Sequence, residues 1–278
     1  MILLFIASIA NRRHSSSIIS LLTPLQASAY SSDTMQSSSS NNSRTVKRKR
    51  TAKPAHDLQQ QPWYYKYTKG DPLYTNYMRN EWSHEKETDD EIFEKLSLDG
   101  AQAGLSWRTI LHKREAYRRA FYNFDINKVA KMTNSDIDHL MTTRQQDESK
   151  KDATGSNSSI VVRHRGKLES VVNNAQLVQK LKAEGTIATT FSSYLWSFVN
   201  HKPILNSWAS FDDIPSKTTE SEAMSKELKA LGFKFVGPTT CYAFMQSCGF
   251  VIDHVRGCEE WLEAEKRLKK RNGGYQCR

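Results

Sequence analysis

Apolar residues recur at helical spacing through most of the chain after residue 60. One predicted helix face carries Trp107, Ile110, Leu111, Tyr117 and Phe121. A second face carries Leu168, Val171, Val172, Ala175, Val178 and Leu181. Gly185 follows shortly after it and is suited to a helix C-terminus. Both sets follow the spacing of an amphipathic helix, and no run of alternating apolar and polar residues predicts a strand. The pattern therefore predicts an all-α fold.

Three further segments complete the predicted layout. Phe191–Val199 predicts a compact aromatic helix. Thr219 and Glu222 have the spacing of a capping box before a helix that ends near Leu231. Residues 142–159 are polar and nearly devoid of large apolar side chains, so we expect an exposed loop between helices.

The two ends of the chain differ from this pattern. Residues 1 to about 60 are rich in Ser and poor in aromatic side chains, so we expect a disordered tail. Residues 1–56 carry eight Lys or Arg and one acid, Asp33, and therefore hold most of the net charge of +10. The net charge of the chain is therefore not by itself evidence that the folded part binds DNA. We divide the chain into a targeting and basic tail (1–60), a folded domain (61–262) and a basic C-terminal tail (263–278).

Two segments of the N-terminal tail resemble targeting signals. Met1–Ala10 is an apolar run followed by Arg12 and Arg13; it is too short to span a bilayer and, with few acids nearby, suits an organellar transit segment. The cluster Lys47–Arg50 indicates a nuclear localisation signal or a nucleic-acid patch, with a solvated linker as the alternative. We expect the nucleus, with a mitochondrion or plastid as an additional destination, and no membrane association. The sequence leaves open which organelle is addressed and whether Met35 is an alternative start.

Residues 221–248 predict two helices joined by a tight turn. Gly232 can end the first helix in the left-handed conformation, and Pro238 can open the second, where a free N–H is not needed. The N–H groups that begin the second helix, with the helix dipole behind them, suit a phosphate oxygen. The residues expected at DNA are Gly232, Lys234, Gly237, Thr239 and Thr240. An ordinary helical hairpin, whose glycines serve only the turn, is the alternative.

Aromatic and acidic side chains are concentrated between residues 71 and 107. They are Tyr74, Tyr77, Trp82 and Trp107, with the carboxylates of Glu81 and Asp99. Such a set suits a pocket for a flipped, methylated purine, because this cation is attracted to electron-rich rings and to a carboxylate. Leu105 could fill the gap that a flipped base leaves. Core packing of the aromatic residues, and a turn or cap role for Asp99, are the alternatives.

Six strings of residues occur in the order found in one family of DNA repair enzymes. They are DPLYxxYxxxEW, LDGAQAGLSW, RHRGK, WSFVNHxP, GFKFVGxTxCYxFMQxCG and DHVxGC. From about Tyr67 to Cys258 the chain resembles the DNA-3-methyladenine glycosylase I family, one of the helix-hairpin-helix DNA glycosylases. The resemblance implies a base-excision repair enzyme that flips 3-methyladenine out of double-stranded alkylated DNA. It would hydrolyse the N-glycosidic bond without cutting the strand.

The resemblance also implies roles for individual residues. Tyr74, Tyr77 and Trp107, with Trp82 beside them, match the base pocket. Asp99 stands where the family usually has a Glu that contacts the base, and we name Asp99 and Glu81 as the candidate catalytic carboxylates. Leu105 and Gly104 match the segment that fills the gap in the duplex, and Gly232–Thr240 matches the phosphate-binding element. Asp253 lies where many helix-hairpin-helix glycosylases have a catalytic Asp, but this family does not rely on one.

Bacterial members of the family hold a structural zinc with two Cys and two His. Here His254 and Cys258 match the later pair, whereas Met78 and a residue near Tyr65 stand at the earlier positions. Because a tetrahedral site that lacks two ligands should not hold zinc tightly, we predict no zinc and no other cofactor. A single glycosylase domain gives no reason to expect an oligomer, so we expect a monomer.

Two other functions fit the same residues. A DNA-binding module that has lost catalysis would bind DNA with a salt-dependent affinity and release no base. An enzyme shifted to another alkylated purine would release a different base. Identification of the bases released from methylated DNA distinguishes the three.

Overall fold

The structure is a computed structural model that describes residues 62–142 and 160–278. These ranges are mostly helical, which confirms the all-α prediction. The predicted disordered tail, both targeting segments and almost all of the predicted loop 142–159 lie outside the described residues. None of the helices in the described ranges combines the length and the apolar character needed to cross a membrane.

The described helices are α1 (Tyr65–Thr68), α2 (Pro72–Asn80), α3 (Asp89–Gln102), α4 (Trp107–Ala120), α5 (Ile126–Val129), α6 (Asn134–Thr142), α7 (Arg165–Ala183), α8 (Phe191–Trp196), α9 (Thr219–Ala230), α10 (Pro238–Ser247) and α11 (Glu259–Lys269). Short 3-10 turns cover Tyr122–Phe124, Ser197–Val199 and Phe211–Asp213. Three two-residue strands are β1 (Ile204–Leu205), β2 (Val251–Ile252) and β3 (Gln276–Cys277).

Helix α3 lies at the centre of the fold. Its start is fixed by a capping box in which Thr88 accepts from the Glu91 N–H and the Glu91 carboxylate accepts from the Thr88 N–H. From Leu96 to Gln102 every residue is buried, because α3 packs against α4, α7, α8 and α10. Polar residues in its last turn are therefore held inside the protein.

The two helix faces predicted from apolar spacing are both buried. On α4 and just beyond it these are Trp107, Ile110, Leu111, Tyr117 and Phe121, and on α7 they are Leu168, Val171, Val172, Ala175, Val178 and Leu181. Gly185 follows α7 with φ 76°, as expected for a glycine at a helix C-terminus. The capping box before α9 is formed by Thr218 and Ser221. The predicted pair, Thr219 and Glu222, was therefore one residue late.

The C-terminal residues belong to the fold, so the prediction of a tail over 263–278 was wrong. The boundary at 262 falls inside α11, whose Trp261 and Leu268 pack against Leu205 and Ile252. Strand β3 then pairs in parallel with β1, which also pairs with β2. The many Lys and Arg residues of this segment suggested a tail, but of those in α11 only Lys266 and Lys269 are exposed, whereas Arg267 is half-buried and donates to the Ser83 oxygen at 3.0 Å. The apolar face of the helix is buried.

The end of α10 packs against the loop between α2 and α3 at Gly249. Its φ is 74°, and a Cβ there would lie 2.6 Å from the Glu85 nitrogen and 2.7 Å from the His84 carbonyl carbon. Lys86 N–H donates to the Cys248 oxygen at 3.1 Å, so this contact joins distant parts of the chain. Only glycine allows the backbones to approach this closely.

We expect Gly249→Ala to lower the free energy of unfolding by more than about 2 kcal/mol, because backbone strain and a backbone clash act together. The matched control is Gly185→Ala, where φ is 76° and a Cβ would meet nothing within 4 Å. It should lose only about 1 kcal/mol, the left-handed penalty alone. Urea denaturation of both variants measures the difference; equal losses would contradict the close approach.

Candidate active site

A small pocket opens between α2, α3 and α10. Its empty volume, which includes space open to solvent, is about 270 Å³. It is lined by Tyr74, Tyr77, Met78, Trp82, Asp99, Gln102, Trp107, Ala243, Gln246 and Ser247. The structure thus brings together the four aromatic residues and the aspartate that the sequence singled out.

The aromatic rings are packed at angles to one another. The ring centroids of Tyr74 and Tyr77 are 6.4 Å apart, and those of Tyr77 and Trp107 are 5.1 Å apart. Each of these four aromatic side chains is no more than 4% exposed. Flat faces of this kind suit a planar heterocycle, and they attract a cationic one more strongly.

Asp99 places a carboxyl group in this pocket from the last turn of α3. The side chain is fully enclosed, and the Ser247 hydroxyl donates to its Oδ2 at 3.0 Å. Burial raises the pKa of Asp99 to about 6, although Lys95 and the Ser247 hydrogen bond act in the opposite direction. An ionised carboxylate in such a site is costly, so a cationic ligand would stabilise it.

Glu81, the second predicted carboxylate, does not line the pocket. It accepts two hydrogen bonds from Arg114, at 2.5 and 3.1 Å, and lies 3.7 Å from the Lys95 ammonium. Burial alone would raise its pKa, but the Arg114 hydrogen bond and the Lys95 charge lower it. The Lys95 nitrogen also lies 4.8 Å from the centre of the Tyr77 ring. Glu81 therefore reaches the pocket only through Lys95, whose charge it balances.

Several polar atoms in the pocket are buried without a hydrogen-bond partner among the described residues. They are the Tyr74 hydroxyl, the Trp107 ring nitrogen and both amide atoms of Gln102. Buried polar atoms are rarely left without a partner, because each such atom costs about 1–3 kcal/mol. Because these unpaired atoms cluster around one cavity, we infer that a polar ligand supplies their missing hydrogen-bond partners.

The sequence analysis missed Gln102, Gln246 and Ser247 as members of the site. The spacing of Gln102 was a usable signal, since a residue three positions after Asp99 on a helix lies on the same side. Gln246 and Ser247 gave no such signal because they come from α10, far along the chain.

Asp253 is completely buried and accepts four hydrogen bonds. Its donors are Asn206, Trp208, Tyr242 and Gln246, each at 2.7 Å. Both carboxylate oxygens are occupied, and Asp253 does not line the pocket. Its geometry is that of a residue that orients Gln246, which does line it.

Residues 103–106 form a short loop between α3 and α4, here called the gap-filling loop after its expected role. Gly104 is exposed and has φ 75°, with nothing within 4 Å of a Cβ built on it. Leu105 is half-buried beside it. The loop adjoins Gln102 and Trp107, so it stands at the edge of the pocket.

The turn Gly232–Gly237, here called the hairpin turn, connects α9 to α10 as the sequence predicted. Gly232 has φ 95°, and Pro238 opens α10. Gly237 provides no side-chain cap, so the first N–H groups of α10 gain no acceptor from that residue. Thr239 is half-buried and Thr240 is buried, whereas Lys234 is exposed.

The zinc positions of the bacterial family offer an incomplete donor set here. His254, Cys258 and Glu260 present donor atoms within 4.8 Å of one another. The thiol of Cys258 already accepts from the Trp261 N–H at 3.4 Å, and the His254 ring packs edge-on against Trp82 at 5.0 Å. Three donors, one of them a helix cap, do not make the four-ligand tetrahedron of a structural zinc.

Comparison with known proteins places the chain among characterised relatives. A methyladenine glycosylase family model matches residues 67–261. The DNA-3-methyladenine glycosylase of Haemophilus influenzae is 46% identical over 186 residues, which are 67% of this chain and 91% of that protein. DNA-3-methyladenine glycosylase 1 of Escherichia coli is 43% identical over 188 residues, 68% of this chain and 91% of that protein.

A solved structure has the same fold. A variant of 3-methyladenine DNA glycosylase I in complex with 3-methyladenine matches with a TM-score of 0.60 and 37% identity, covering 70% of this chain and 95% of that one. The family model spans more than half of the chain, and the pocket residues lie inside the matched range. The chain therefore belongs to the methyladenine glycosylase family.

Proposed function

We propose that this protein removes 3-methyladenine from alkylated double-stranded DNA by hydrolysing the N-glycosidic bond. The observation that carries the proposal is the pocket itself, in which aromatic rings packed at angles surround a buried carboxylate and several unpaired polar atoms. A relative 37% identical is described in complex with 3-methyladenine. The same ring system, cationic while still attached to DNA, satisfies each of these features.

Because the residues that line the pocket are buried, the nucleotide must leave the base stack to reach it. Leu105 fills the space left in the duplex, and the N–H groups of the hairpin turn and of the start of α10 hold the adjacent backbone. Tyr74, Tyr77 and Trp107 then enclose the base.

The chemical step needs little acid catalysis, because the methylated base is already a cationic leaving group. Asp99 stabilises the positive charge, which lies first on the base and then on the sugar as the bond breaks. No lysine is among the described residues that line the pocket, and the Lys95 ammonium lies over the Tyr77 ring and 3.7 Å from Glu81 rather than on the pocket wall. Without an amine to attack the sugar, water is the nucleophile, and the reaction ends at an abasic site with the strand intact.

An aspartate at position 99 supports the same role as the longer glutamate that is usual in the family. The Ser247 hydroxyl holds the shorter carboxylate in place, and the α3 backbone carries it to the pocket wall. The unpaired amide of Gln102 adds hydrogen-bonding capacity beside it. A binding module without catalysis would not need a buried carboxylate of raised pKa, so the enzyme is favoured.

We expect Asp99→Asn to lower the single-turnover rate of 3-methyladenine release by about a hundredfold, because the amide keeps the shape but loses the charge. The assay incubates excess protein with methylated duplex DNA and identifies the free bases by chromatography. The control is Asp212→Asn, the same change at an exposed aspartate outside the pocket, which should leave the rate unchanged.

Three results separate the candidate functions. Full activity in Asp99→Asn would refute the role of this carboxylate. Binding of the wild type to methylated duplex without release of any base would favour the inactive module. Release of another alkylated purine alone would favour a shifted substrate.

The raised pKa of Asp99, about 6, predicts opposite effects of pH on activity and on stability. Base release should rise as pH increases through about 6, because the active carboxylate forms, and Asp99→Asn should remove this step. Stability should change in the other direction. A folded-state pKa above the ordinary 3.8 means that the ionised form disfavours folding, so Asp99 costs stability above pH 6 and not below pH 4.

The wild type should therefore lose about 3 kcal/mol relative to Asp99→Asn between pH 3 and pH 8. Urea denaturation of both proteins at the two pH values measures this difference. A difference that does not change with pH would show that Asp99 is not buried in the ionised form.

We also propose that the protein folds and acts without zinc. The donor set, which has three members instead of four, and the aromatic packing of His254 against Trp82 support this. Elemental analysis of the purified protein should find far less than one zinc per chain, and a chelator should leave its melting temperature unchanged. A zinc-to-protein ratio near one would refute the proposal.

A further inference from the structure

Lys167 is a buried lysine that lies behind the gap-filling loop. It is only 6% exposed and sits in the first turn of α7. Its ammonium donates to the carbonyl oxygen of Ala101 at 2.8 Å and to that of Ala103 at 2.5 Å. These carbonyls belong to the last turn of α3 and to the first residue of the loop, where a cation also complements the helix dipole.

The same helix holds the hairpin turn. The Asn174 side chain accepts from the Lys234 N–H at 2.9 Å and donates to the Lys234 oxygen at 3.1 Å. Asn173 adds a hydrogen bond to the Gly232 oxygen at 3.2 Å. Asn174 is buried, so its amide pairs with both backbone groups of Lys234 from inside the protein.

The two residues of α7 that hold these segments, Lys167 and Asn174, have a fixed separation. Lys167 and Asn174 are seven residues apart, two turns of helix on one face, which is about 10 Å along the axis. The gap-filling loop and the hairpin turn also meet through α3, since a Cβ on Gly100 would lie 3.2 Å from the Cβ of Phe235. The two segments expected to face DNA are thus both hydrogen-bonded to one helix, α7.

We propose that Lys167 is a positioning residue that holds the gap-filling loop, through the Ala101 and Ala103 carbonyls, at the distance from the hairpin turn that lets Leu105 enter the duplex. Lys167 does not touch the base, and it acts through Leu105. This inference rests on the proposed function for its repair setting. The position of the gap-filling loop relative to the bound DNA backbone can be tested without any release of base.

The first experiment measures insertion of Leu105 directly. The probe is a duplex that contains a tetrahydrofuran abasic analogue opposite 2-aminopurine, whose fluorescence rises when a side chain enters the gap and unstacks it. We expect Lys167→Met to bind this duplex but to lower the insertion equilibrium about tenfold, since two charge-assisted hydrogen bonds are lost, one to the last turn of α3 and one to the first residue of the loop. Lys180→Met is the matched control, because it makes the same change at an exposed position of α7.

A double-mutant cycle separates positioning from a general structural role. If Lys167 acts through Leu105, Lys167→Met should cause little further loss in a Leu105→Ala background. Additive losses, or insertion by Lys167→Met equal to that of wild type, would overturn the proposal. Thermal melting checks the fold; should Lys167→Met not fold, the same cycle is run with Lys167→Gln, which keeps a neutral donor at the site.

The second experiment links the inference to repair. In single-turnover assays, Lys167→Met should release 3-methyladenine from methylated duplex about tenfold more slowly. On methylated single strands, where no gap needs filling, its rate should match wild type; equal losses on both substrates would overturn the proposal. If wild type itself releases no 3-methyladenine, the proposed function fails, while the abasic duplex still decides the role of Lys167.

Discussion

A single buried carboxylate, that of Asp253, determines how the last third of the domain closes on the pocket. A carboxylate with no access to water must be given hydrogen-bond donors from the protein. Its four donors come from the segment after β1, at Asn206 and Trp208, and from α10, at Tyr242 and Gln246. Meeting this requirement places α10 against β2 and turns Gln246 into a wall of the pocket.

The pocket shows the reverse arrangement, since polar groups there are buried without being satisfied. Asp99 is enclosed among aromatic rings with a single hydrogen bond, from Ser247, and the amide of Gln102 is unpaired among the described residues. In a core chosen only for stability these groups would be apolar or paired. Their cost is understandable if a cationic, hydrogen-bonding base occupies the pocket, because that ligand supplies both the charge and the partners that the protein lacks.

The surface expected to meet DNA is defined by backbone geometry more than by charge. The hairpin turn offers N–H groups, and the gap-filling loop offers a glycine and a leucine. Helix α7 contacts the backbone of both segments, through Lys167 and Asn174. Most of the positive charge in the sequence lies instead in the first 56 residues.

The sequence by itself determined the helical class, the buried faces of α4 and α7, the turn between Gly232 and Pro238, and the aromatic members of the pocket. These depend on local periodicity, on backbone preferences of Gly and Pro, and on residue types grouped within a short stretch. Only the tertiary structure decided that Glu81 pairs with Arg114 and Lys95 outside the pocket, that Gln246 and Ser247 join it, and that residues 263–278 complete the fold. Those outcomes depend on contacts between residues far apart in the chain, which local spacing does not record, because burial and charge pairing are set by the neighbours that packing supplies.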